Sequence, residues 1–314
     1  MNRLCWGTFL LLLVGCKSTP DQYVYSSGAL RQDNQVFLQD IEAQGFNKAE
    51  LTEVAAQAFR NGRCDKALLL AEKFNLPVNY STDYQTLFQC LMQKKHYDLA
   101  ERALALGAEP AFVPSTTAEQ DNALVVAARY GQLSLVKALM RQGQTPGKAA
   151  FHAGVGAEFH RDPAIALQML ETFRPYISRS VLRYRSGDSP VLYQLLSNQF
   201  TETAVLPVVK ELLQLGVLPD DGQQRNAVHP SGATFAFKDT PLLLVPEQSV
   251  LAAMLIKAGA DPAARAKRQR AERLAAIRTG MTLKQGLVLD IRKTGVQVQD
   301  IAGSHWLNWD DISI

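Results

Sequence analysis

The chain has 314 residues, 47% of them apolar and 20% charged, with 33 basic residues against 30 acidic ones and a formal net charge of +3. A balance this even gives no basic footprint for a polyanion, so no nucleic-acid partner is expected. The length suffices for one large core or for a row of stacked units, each burying its face on the next.

In chain order, Asn2-Arg3 comes first and an apolar run from Leu4 to Val14 follows. That run is too short for a bilayer core, which takes about 20 helical residues. A short apolar stretch behind a positive start reads as an export signal that is removed. The sequence Leu13-Val14-Gly15-Cys16 resembles the lipobox of bacterial lipoproteins. The resemblance implies that residues 1–15 are a signal peptide, that cleavage falls before Cys16, and that Cys16 is acylated and anchors the chain in a membrane. Each buried methylene contributes roughly 0.8 kcal/mol, and firm anchoring takes more than one acyl chain. Lys17 follows the cysteine instead of Asp. By the same resemblance the destination is the outer membrane of the cell envelope, facing the periplasm. Residues 16–30 are polar and read as a flexible tether.

The body shows internal similarity. The clearest unit is Asp121-Asn122-Ala123-Leu124-Val125-Val126-Ala127-Ala128-Arg129-Tyr130-Gly131, then Leu135-Val136-Lys137-Ala138-Leu139-Met140-Arg141-Gln142-Gly143. Ala127 and Ala128 are small where a first helix lies close to its neighbours. Gly131 suits a tight interhelix turn, Gly143 suits a left-handed helix end, and Leu135, Val136, Leu139 and Met140 form one apolar stripe. This unit resembles an ankyrin repeat. A second copy opens at Thr240-Pro241-Leu242 and ends at Gly259-Ala260-Asp261-Pro262, without a proper first helix because Pro246 intervenes. Others run from Gln85 to Pro110, from Ser189 to Gly216 and from Leu51 to Pro77. The helix-ending glycines at 107, 143, 216 and 259 leave a gap that holds one degraded unit, with its second helix over 164–170. The resemblance implies a mainly α fold, an ankyrin-like helical repeat solenoid over 31–262, with a tetratricopeptide-type array as the alternative for the first hundred residues. Residues 151–162 and 219–239 break the period and read as loops on a binding face or as drifted loop length. Cys64 and Cys90, in an oxidising compartment and separated by 26 residues, are either bridged between neighbouring helix pairs or two buried thiols.

Residues 263–280 form a basic helix, read as a polar cap or as a lipid-surface contact. Residues 281–314 switch to period two and predict a small antiparallel β module that packs on the last repeat. In size it resembles the appendages of secretion and pilus lipoproteins. Trp306 and Trp309 are either partner anchors or core.

Catalytic signals are absent. The sequence lacks a His-Glu-x-x-His helix, a Cys-x-x-Cys pair and a Gly-x-Ser-x-Gly elbow. His152, Glu158 and His160 are the best metal candidates, but their spacing does not put two ligands on one helical face. No enzyme, metal or cofactor is expected. The expected function is binding of a protein partner. Its sharpest form, by resemblance to ankyrin-type immunity lipoproteins, is inhibition of a membrane-targeting toxin. A structural or assembly part in a secretion or pilus machine is the alternative, and an envelope hydrolase is a third. Expected contact positions are Asp121, Asn122, Arg129, Arg225 and Phe235, with Trp306 and Trp309.

Overall fold

A computed structural model describes residues 19–26, 28–83, 85–111 and 122–314. Residues 1–15, Cys16 and Asp121 lie outside these. The described residues form two compact units, one within residues 19–127 together with Gln132–Gln144, the other of Ala128–Gly131 and Thr145–Ile314.

The first unit opens with α1 (Pro20–Ser26), α2 (Asn34–Gln44), α3 (Lys48–Arg60) and α4 (Cys64–Phe74). A reciprocal capping box starts α3: Asn47 accepts from the Glu50 N–H at 3.0 Å while Glu50 accepts from the Asn47 N–H at 2.8 Å. Its stripe of Leu51, Val54, Ala55, Ala58 and Phe59 is buried against α4. The next pair is α5 (Leu87–Gln93) and α6 (Tyr97–Ala105), packed on α4. After it come α7 (Ala123–Arg129), which crosses the division between the units, and α8 (Leu133–Arg141), which packs on α6. Cys64, at the head of α4, is joined by a disulfide to Cys90 of α5, with Cα atoms 6.2 Å apart.

The tether reading needs correction from Pro20 onward. Residues 20–26 are helical, and Tyr23, Val24, Ala29 and Leu30 are buried, with α1 packed on α3. Distant cations hold this segment: the Arg63 guanidinium donates to the Leu30 carbonyl, and the Lys66 ammonium donates to the Gln32 carbonyl and to Asn34 Oδ1, both at 2.7 Å. Lys66 is only 1% exposed, and its burial lowers its pKa.

The second unit contains α9 (Lys148–Val155), α10 (Pro163–Phe173), the short α11 (Arg179–Leu182), strands β1 (Arg185–Ser186) and β2 (Ser189–Pro190), and the pair α12 (Val191–Ser197) and α13 (Glu202–Gln214). Residues 151–162 are therefore a loop only in their second half, the turn over 156–162. Their first half completes α9, with Phe151, His152, Ala153 and Val155 buried. Gly154, within the stretch read as a loop, sits at a close helix crossing. A Cβ there would meet Ala128, Met169 and Phe173 at 3.3–3.4 Å.

Residues 219–239 are not a loop. They fold into an antiparallel hairpin, β3 (Gln223–Val228) and β4 (Thr234–Asp239), with Gln223 opposite Asp239 and Val228 opposite Thr234. The weak first helix of the next repeat is reduced to a 3-10 turn over Pro241–Leu244 before α14 (Val250–Lys257).

One backbone signature recurs through both units. Five second helices close with an N–H bonded back five residues: Leu76 to Ala71, Ala108 to Ala103, Gln144 to Leu139, Val217 to Leu212 and Ala260 to Leu255, whereas α10 runs on into a 3-10 turn over Arg174–Tyr176. Four of these closures place a glycine, at 107, 143, 216 and 259, with φ between 90° and 106°. An L side chain is strained there, so glycine writes the period into the sequence. These closures and the serial packing of helix pairs define an ankyrin-like repeat fold.

The chain ends with α15 (Ala264–Ala275) and a four-stranded antiparallel meander of β5 (Thr282–Leu283), β6 (Gly286–Arg292), β7 (Gly295–Asp300) and β8 (Gly303–Asn308). A bulge between Val288 and Asp290 resets the alternation. Val288 and Ile291 therefore lie on one face, opposite Val298 and Val296, while Leu287 is exposed. Val288, Val296 and Val298 share one core with Leu274 of α15, Ile277 just beyond it, Ala233 of the hairpin turn, Trp309 and Ile312. The meander thus packs on α15 and the hairpin turn. Arg265 donates to the Leu242 and Val245 carbonyls and Arg270 to those of Asp310 and Ile312. These bonds make α15 a cap that ties the last repeat to the meander.

Candidate partner-binding surface

The structure disperses the contact positions read from the sequence. Asn122 caps the start of α7, its Oδ1 accepting from the Val125 N–H at 2.9 Å. Arg129 is four-fifths buried and pairs with Glu158 at 3.3 Å, its guanidinium 5.8 Å from the Phe159 ring. Trp309 belongs to the core, its Nε1–H donating to the Lys293 carbonyl at 2.9 Å, and Phe235 packs edge-on against it at 5.0 Å. Of the described positions, Asn122, Arg225 and Trp306 are exposed, the last 40% exposed beneath the Arg292 guanidinium.

The His152, Glu158 and His160 set does not assemble into a metal site. His152 Nε2–H donates to the Ser189 carbonyl at 2.8 Å, and His160 Nε2–H donates to the Gly154 carbonyl at 2.8 Å while its Nδ1 accepts from the Asp162 N–H. Both rings are held as neutral structural groups. Among the described residues no cluster of three metal-ligating side chains occurs, and no helix is long and apolar enough to cross a membrane.

Burial lowers the pKa of both histidines, His152 against the opposing pull of the Ser189 hydrogen bond and of Glu158. The unfolded chain titrates near the ordinary value of about 6.5, so between the two values it binds more protons than the folded chain. Stability is complete above that pH and is lost as pH falls below it. Thermal melts from pH 7.5 to 5 should fall, and His152→Gln should flatten the lower part of that profile.

His160 also closes over the α7–α8 turn. A Cβ on Gly131, where φ is 72°, would stand 2.7 Å from the His160 Cβ. Gly131→Ala is expected to cost about 2 kcal/mol from left-handed strain and overpacking, read by urea titration.

The hairpin supplies the best-built surface. Its root is fixed at Asp239, which accepts from the Tyr193 hydroxyl at 2.8 Å and faces Arg225 at 3.8 Å and Arg268 at 4.0 Å. Burial raises the Tyr193 pKa, and the bond to Asp239 adds to the rise. Its turn is fixed by His229, whose Nε2–H donates to the Ile277 carbonyl at 2.8 Å. Between β4, α15 and Asp310 runs an open groove of about 490 Å³. Sequence reading marked the basic residues of 265–278 and the period break, but nothing local says that they meet.

The fold and this surface define the class: an ankyrin-like helical repeat scaffold with an added hairpin and β meander. No protein-family model matches the chain, and no curated protein matches it. Among solved structures it is similar to the ankyrin repeat domain of human ASB11, at 14% identity and TM-score 0.45 over 78% of this chain and 99% of that one. It is also similar to EF0377, an ankyrin repeat protein, at 12% identity and TM-score 0.42 over 67% and 98%. The ankyrin repeat domain of Bcl-3, a member of the IkappaB family, aligns at 16% identity and TM-score 0.38 over 67% and 87%. At such overlaps the recurring helix-pair closures carry the fold assignment.

Proposed function

We propose that the chain is a lipid-anchored, periplasm-facing scaffold that binds one protein partner and carries out no catalysis. The single observation behind the binding reading is that the helix pairs support a hairpin flanked by an open, cation-rimmed groove. The lipobox-like Leu13-Val14-Gly15-Cys16 supports the anchor. In the sharper form the partner is a membrane-targeting toxin that the protein neutralises. A lipid on Cys16 would hold the body close to the bilayer, because only residues 17–19 separate it from α1 and each spans at most about 3.6 Å.

A role in a secretion or pilus assembly is favoured by one other feature. Edge strand β8, Gly-Ser-His-Trp-Leu-Asn, is almost wholly exposed and lacks the lysine or proline that guards edges.

The test is metabolic labelling with an alkyne palmitate analogue combined with a toxin challenge. Wild type should take the label and fractionate with outer membranes, Cys16→Ala should do neither, and a deletion strain should lose survival against the cognate toxin. An unlabelled wild type sinks the anchor. Unchanged survival of the deletion strain across toxins sinks the inhibitor and leaves assembly.

A further inference from the structure

We infer that the free edge of β4 is a docking site for an extended, acidic segment of a partner protein, which adds to the hairpin as a third strand. The inference stands on the groove alone and depends neither on the lipid nor on what the partner does.

The ladder fixes which backbone groups face the groove. At the turn the His229 N–H donates to the Ala233 carbonyl at 2.9 Å and the Gly232 N–H to the His229 carbonyl. Antiparallel alternation then directs the groups of Phe235 and Phe237 toward β3, and those of Thr234, Ala236 and Lys238 outward. All five residues line the groove, as they do when a pocket runs along a strand edge. Among the described residues no hydrogen bond reaches the outward backbone groups of Thr234, Ala236 or Lys238.

The shape fits a strand. Helix α15 lies beneath β4, more closely than beneath β3, and presents Lys267, Arg270, Ala271 and Leu274 to the groove. Those positions form one helical face, so the shelf extends past the last strand of a sheet that has only two. Two-stranded sheets are marginal in water, and adding a strand is a general mode of peptide capture.

The charge selects the occupant. Lys238, Lys267 and Arg270 rim the groove against one carboxylate, Asp310. Lys238 reaches Asp220 only at 3.9 Å, and Arg270 donates to backbone carbonyls, leaving its charge uncompensated there. Lys267 is paired with Asp261 at 2.6 Å but exposed. A strand with carboxylates on alternate residues would set them over Lys267 and Arg270. The chain's own exposed strand β8 has no acidic residue, so charge does not favour a second copy.

The experiment uses the full chain in detergent micelles and fluorescence anisotropy with labelled hexapeptides. One alternates glutamate with valine, the second alternates lysine with valine, and the third is the first with its ladder amides N-methylated. The glutamate peptide should bind, the lysine peptide should not, and N-methylation should weaken binding at least tenfold without any change in the protein. Ala236→Pro removes one outward N–H and leaves the β3 ladder whole, so it should give the same loss at an unchanged melting temperature. Equal binding of the glutamate and lysine peptides, full binding of the methylated one, or no binding at all would overturn the inference.

Discussion

Replacing Cys64 and Cys90 together by alanine is expected to lower the stability of the first unit by about 3.5 kcal/mol. The disulfide closes a loop of 26 residues that spans the end of one helix pair and the start of the next. In the unfolded chain that closure removes conformational freedom, and the bridge is worth what the loop length dictates. Alanine is the right replacement because both cysteines are buried, at 0% and 1% exposure, where a serine hydroxyl would need a partner. Urea titration followed by amide exchange in α4 and α5 measures the loss. Dithiothreitol should reproduce it in the wild type and do nothing to the double variant. A loss below about 1 kcal/mol would mean that the α4–α5 junction holds without its bridge.

Phe173→Ala is expected to cost the second unit about 3–5 kcal/mol. Phe173 ends α10, is 1% exposed, and packs where α9 approaches closely at Gly154. Removing the ring leaves a cavity that rigid helix pairs fill poorly. In a row of units that contact only neighbours, the damage stays local. Exchange should therefore rise in α9, α10 and α13, which pack together, and stay low in α3 and α4. A uniform rise over all helices would show one cooperative core instead.

The sequence spoke clearly where a backbone position restricts residue choice. Gly107, Gly143, Gly216 and Gly259 mark left-handed closures, and reading them placed the helix pairs and the degraded unit. The same signal failed where the chain accepts strain: the left-handed turn residues Lys95 and Gln199 carry no such mark. The period break at 151–162 misled in part, since Gly154 there serves close packing inside α9. The order of residues 28–32 was hidden because Arg63 and Lys66 hold this stretch from more than thirty positions away. At the candidate site, the basic run of α15 and the residues of β4 were both visible. Their meeting depends on a hairpin whose strands show no clean alternation. Phe235 and Trp309 were singled out as contacts, yet they pack on each other, since an aromatic signals equally for core and interface.

Native mass spectrometry of the full chain, released gently from its own membranes, tests the scaffold most directly. The expected mass lacks residues 1–15, is raised by acyl chains on Cys16, and is bound in fixed ratio to a second polypeptide. A bare, unacylated chain, alone and recovered from the soluble fraction, would contradict it.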